Sequence, residues 1–144
     1  MIEEVKYKER LLAIIIRANF EKDGIQFFTP DSYSQQLAYM KRPEGHIIEP
    51  HTHNEVKREI VLTQEVLFIK SGKVRVDYYT SDQHYFGSDI LLPGDVILLA
   101  DGGHGFKMIE ESEIIEVKQG PYVEDKDKTR FVPVADELVK KRES

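Results

Sequence analysis

Residues 45–72 read GHIIEPHTHNEVKREIVLTQEVLFIKSG, and this stretch decides the fold. Only Thr52 separates His51 from His53. Side chains two positions apart on a β-strand share a face, so the pair offers two imidazoles to one point from one rigid element. His46 lies five positions before His51, an odd offset that regular strand geometry turns away. Downstream, Glu65-Val66-Leu67-Phe68-Ile69-Lys70 is a short β-branched and aromatic run that stops at Ser71-Gly72, which predicts a strand and then a turn. Beyond the turn, Val74, Val76 and Tyr78 alternate with Lys73, Arg75 and Asp77, the period of a half-buried strand.

Outward from this stretch the pattern is the same. Leu11–Ile16 and Ile25–Phe28 flank an Asp23-Gly24 turn and predict an N-terminal hairpin over residues 10–30. Gln36–Met40 is a further candidate strand, closed by Pro43-Glu44-Gly45. Leu91-Leu92 runs into Pro93-Gly94-Asp95, Val96–Leu99 opens the next strand, and Ile114–Val117 is the last. Helical spacing shows only over Ala135–Arg142, a short helix or a disordered tail. Short strands with turn signals at regular spacing predict a single all-β domain, a sandwich or barrel.

The bulk numbers narrow the function. The chain has 144 residues, enough for one domain with a real core. A net charge of −6 argues against a nucleic-acid partner, since phosphate binding rests on clustered Lys and Arg. With no cysteine, thiolate catalysis, zinc-thiolate sites and disulfides are excluded, and any metal must be held by imidazole and carboxylate. Those ligands suit zinc, iron, manganese, nickel or copper, one divalent ion without a choice among them. No apolar run is long enough for a membrane span, and the acidic opening Met1–Lys6 is unlike a secretory signal. A cytoplasmic protein without a membrane partner is therefore expected.

Residues 45–72 resemble the first cupin motif: glycine, five residues, His-x-His, a spacer, glutamate, six residues and glycine. Gly45, His51, His53, Glu65 and Gly72 fill those places. Residues 87–104 resemble the second motif through Gly87, Pro93 and Gly94, with His104 after the following strand. The resemblance implies a cupin-type double-stranded β-helix, or jelly-roll barrel, with its core at about 36–118, the hairpin at 10–30 and a tail at 119–144. It also implies a metal held by His51, His53, Glu65 and His104. Two departures stand out. Eleven residues separate His53 from Glu65, where the family has three or four, so Glu55 and Glu59 are alternative carboxylates. Asp95 occupies a place where glycine is usual.

Three imidazoles and a carboxylate leave coordination positions open, as catalytic metal sites require. The resulting expectation is a metal-dependent cupin acting on a small polar metabolite, such as a sugar or an oxo or hydroxy acid, by isomerase-type or other Lewis-acid chemistry. The alternatives are an iron-dependent dioxygenase and a non-catalytic metal or small-ligand binding module. No general acid or base is evident beyond the ligands. Arg58 and Gln64 are candidate substrate contacts; Tyr78, Phe106 and Lys118 are candidate cavity residues, and Arg58 in particular suits an anion. The resemblance also implies a homodimer, with Leu11–Ile16, long and apolar enough to be a hazard as an uncovered edge, as the pairing element.

Overall fold

In a computed structural model, residues 1–142 are described, apart from the side chains of Glu124 and Asp125. Residues 143 and 144 of the predicted tail lie outside the described residues. The chain is all-β and antiparallel. Its ten strands are β1 (Ile2–Tyr7), β2 (Arg10–Ile16), β3 (Gly24–Phe27), β4 (Ala38–Lys41), β5 (Glu65–Ser71), β6 (Val74–Tyr79), β7 (Tyr85–Leu91), β8 (Val96–Leu99), β9 (Gly103–Met108) and β10 (Glu113–Lys118). They form a five-stranded sheet in the order β1-β2-β8-β5-β10, a three-stranded sheet β7-β6-β9 and a separate hairpin β3-β4.

The two larger sheets pack face to face. Ala13, Ile15, Leu67, Ile69, Ile97 and Leu99 from the first meet Val74, Val76, Tyr78 and Leu91 from the second in one buried cluster. Each of these larger side chains contributes roughly 1.5–3 kcal/mol through burial. The alternation in β6 is as predicted: Val74, Val76 and Tyr78 face this core. Arg75 and Asp77 point to the outer face, which the C-terminal tail covers: Arg75 bonds Asp77 and Asp136, and Phe131 packs on the Tyr79 ring.

Several pairings differ from the sequence reading. The predicted hairpin between Leu11–Ile16 and Ile25–Phe28 does not form. β2 pairs with β1 on one side and β8 on the other, while β3 pairs with β4. The real N-terminal hairpin turns at Lys8 and Glu9, whose φ angles are +48° and +67°. Left-handed geometry at both central positions gives a turn whose twist matches its strands, and neither residue is the glycine or asparagine that announces it. Both strands of this hairpin contribute to the packed core, through Val5, Ala13 and Ile15. β2 is interior to its sheet, so Leu11–Ile16 has no free edge with which to pair two subunits.

The helical spacing over Ala135–Arg142 does not give a regular α-helix. Asp136–Leu138 makes a single 3₁₀ turn. Lys141 then forms a parallel bridge to Ser88, and Arg142 enters the side of the sandwich. Arg142 Nε donates to Asp89 Oδ2 at 2.8 Å, its guanidinium also reaches Glu3 at 3.3 Å, and Tyr78 Oη donates to the same Asp89 oxygen at 2.9 Å.

The departure at Asp95 has a structural cause. In the turn after β7 its carboxylate accepts hydrogen bonds from the Leu92 amide at 2.8 Å, the Ala18 amide at 2.9 Å and the Arg17 guanidinium at 3.0 Å. A glycine there would leave all three donors without that partner.

Candidate functional site

Besides the Arg142–Asp89 network, a second polar cluster meets the apolar core. Glu65 opens β5 and shares its inner face with Leu67 and Ile69. His104 is the second residue of β9 and shares its face with Phe106, which packs on the core. The two side chains meet across the sheets, with His104 Nε2 3.5 Å from Glu65 Oε2. Both are partly covered, Glu65 at 17% and His104 at 29% side-chain exposure. That leaves a carboxylate–imidazole pair neither fully solvated nor sealed from a ligand.

Two neighbours complete this polar end. Lys118 on β10 stands directly opposite Glu65 in the sheet, and Tyr78 on β6 stands directly opposite His104. Glu116 lies two positions before Lys118 and so faces inward as well. Hydrogen bonding to His104 is the largest influence on Glu65 and holds its carboxyl below the usual carboxylate range. Burial opposes that shift, while the charge of His104, a side-chain contact with Glu116 and the charge of Lys118 reinforce it.

A depressed folded-state pKa means that Glu65 contributes stability above its unfolded value, near 4.3. That contribution is lost as pH falls through the lower folded value. Chelator-treated wild type should therefore lose more stability between about pH 5 and pH 3 than Glu65→Gln does. Urea midpoints across that range check it, and parallel profiles would refute it.

The histidine pair lies elsewhere. Residues 42–64 contain no strand, so His51 and His53 are not on the rigid element that the His-x-His spacing predicts. Pro43 and Pro50 lack amide donors, and the charged run Glu55–Glu59 gives this segment no face to bury. The two rings still neighbour each other, with centroids 5.2 Å apart, and His51 Nδ1–H donates to the Glu49 carbonyl at 2.8 Å. The four predicted ligands thus form two pairs, Glu65 with His104 and His51 with His53. Among the described residues, no group of three or more His, Asp or Glu side chains is gathered around one point.

Of the three candidate carboxylates, Glu65 is the one beside His104; Glu55 and Glu59 are exposed in the irregular segment. Arg58 is exposed in the same segment. Gln64 is buried, and its amide oxygen accepts from the Gln35 amide at 3.2 Å and from Ser34 Oγ at 3.4 Å. The side chain therefore ties the chain together where the sequence suggested a substrate contact. Two cavities, of about 470 and 300 Å³, lie between the β7-β6-β9 sheet and the C-terminal tail, and neither is lined by Glu65 or His104.

Glu116 escaped the sequence reading, although its signal was available. Once Ile114 faces the core, period two sends Glu116 and Lys118 inward with it. No helix among the described residues is long and apolar enough to cross a membrane. Comparison with protein-family models, curated proteins and solved structures gives no match.

Proposed function

We propose that this chain is a metal-dependent protein of cupin type, acting on a small polar metabolite at the Glu65–His104 end of the sandwich. Glu65 and His104 would hold a divalent transition metal there, joined by His51 and His53 from residues 42–64. The observation that carries the reading is the Glu65–His104 contact itself, which joins strands of two different sheets where the apolar core ends. Imidazole and carboxylate suit such a metal. Two further features favour delivery of the histidines. Among the described residues β9 pairs only with β6, leaving one edge open beside His104. The 42–64 segment carries Ile47, Val61 and Leu62, which are 78%, 89% and 51% exposed and gain from burial.

When bound, the metal supplies Lewis acidity or, if it is iron, dioxygen chemistry. The chain supplies the rest. Glu65 is held as a carboxylate, and Lys118 offers a cation to an oxo-acid or phosphate group of the substrate. Isomerase-type chemistry on a sugar or an oxo or hydroxy acid fits these groups. The exposure of His51 and His53 gives weight to a second reading, a metal or small-ligand binding module without turnover.

Metal analysis of purified protein tests the proposal. About one divalent ion per chain is expected, lost in both His51→Ala and Glu65→Ala. Metal retained by Glu65→Ala would transfer the carboxylate role to Glu55 or Glu59. No metal, and none taken up on reconstitution, would sink the proposal. Turnover of a sugar or oxo acid that disappears in His51→Ala separates an enzyme from a binding module.

A further inference from the structure

β10 is an edge strand. One side pairs with β5, and among the described residues no strand pairs with the other. Its outer face is apolar: Ile115 and Val117 are 54% and 55% exposed and stand opposite Phe68 and Val66 on β5. Phe68 is itself 39% exposed. Natural edge strands are usually blunted by charge, proline or a covering element, so an open edge beside an apolar stripe calls for an occupant.

We infer that the occupant is a second copy of this chain, paired antiparallel along β10 about a two-fold axis through Val117. The charges select that register. A two-fold perpendicular to the sheet keeps inner faces together, so the sum of paired residue numbers must be even. Centring on Glu116 or on Lys118 sets like charges face to face, which is unfavourable. Centring on Ile115 sets Ile114 against Glu116 and Glu113 against Val117, with no complementary pair. Centring on Val117 sets Glu116 opposite Lys118 of the partner subunit, twice. On the outer face it joins Val66 and Val117 of one copy to the same residues of the other in an unbroken apolar row. The two five-stranded sheets become one of ten strands.

This pairing stands independently of the metal reading, and it also reaches the polar end. Glu116 borders Glu65, so each subunit places a lysine beside the other's candidate site. The paired edge replaces the interior strand β2 as the route to the expected homodimer.

The chain has no cysteine, which makes a direct test simple. Residues directly opposite in an antiparallel pair have Cα atoms about 4.5–5.5 Å apart, within reach of a disulfide. Val117→Cys should therefore form a covalent dimer under mild oxidation. Light scattering of the wild type should give twice the 16.7 kDa chain mass. Glu116→Lys or Lys118→Glu alone should weaken dimerisation about tenfold, and the double variant E116K/K118E should restore it. A monomeric wild type overturns the inference. So does a dimer whose Val117→Cys variant fails to cross-link, or a charge swap that rescues neither single variant. If a charge variant fails to fold, the cross-link alone decides.

Discussion

Arg142→Ala should lower stability by about 3–5 kcal/mol, although it falls in a stretch that reads as a tail. The side chain is only 9% exposed and its main partner, Asp89, only 3%. Removing the guanidinium leaves the Asp89 carboxylate buried with the Tyr78 hydroxyl as its remaining described donor. It also strips a cation from Glu3, which is bound on its other side by Arg17. Breaking one half of a buried pair is costly because the surviving charge is stranded, not because the pair itself contributes so much. Asp89→Asn/Arg142→Met should therefore be more stable than Arg142→Ala alone. Thermal melts should show Arg142→Ala lower by on the order of 10 °C. A shift within about 2 °C would mean that the tail contributes little to the fold.

Gly72→Ala should be comparably damaging, for a steric reason. Gly72 closes the turn between β5 and β6 at φ +90°, a region that L residues occupy with strain. A Cβ there would sit 2.3 Å from the Glu111 carbonyl oxygen and 2.6 Å from Ser112 Cα. These are backbone atoms of the β9–β10 connection and cannot swing aside as a side-chain tip would. Overpacking of about 1–3 kcal/mol adds to left-handed strain of about 1–2 kcal/mol, a loss of about 2–5 kcal/mol. Gly24→Ala has a similar φ of +88° but open space around its Cβ, and it should lose only the strain. The difference between the two urea midpoints isolates the contact; equal losses would refute it.

What the sequence made legible is what local pattern encodes. A β-branched and aromatic run located β5, period-two alternation located β6, and Pro93-Gly94-Asp95 located the turn into β8. β9 was hidden because Gly103-His104-Gly105 has low strand propensity; it is a strand because β6 supplies its pairing partner. β1 was hidden because Glu3, Glu4 and Lys6 look like a solvated terminus, yet Val5 between them is fully buried. Register between distant strands leaves no local trace, which is why β2 was assigned to the wrong partner. The site shows the same division. Glu65 and His104 were chosen as two members of one set, and the fold places them in contact. The approach of His51 and His53 depends on where an irregular segment lies, and spacing alone cannot specify that.

The bond from Arg142 to Glu3 spans 139 positions, and its bond to Asp89 spans 53. During synthesis Glu3 soon gains Arg17 as a partner, but Asp89 leaves the ribosome long before Arg142 exists. At about 5–20 residues per second, Asp89 waits several seconds for position 142. Throughout that interval the sandwich can collapse but cannot close around an unpaired carboxylate without cost. Completion of this buried network therefore falls after all ten strands have been made. Of the groups in that network, Arg142 is the last to be synthesised.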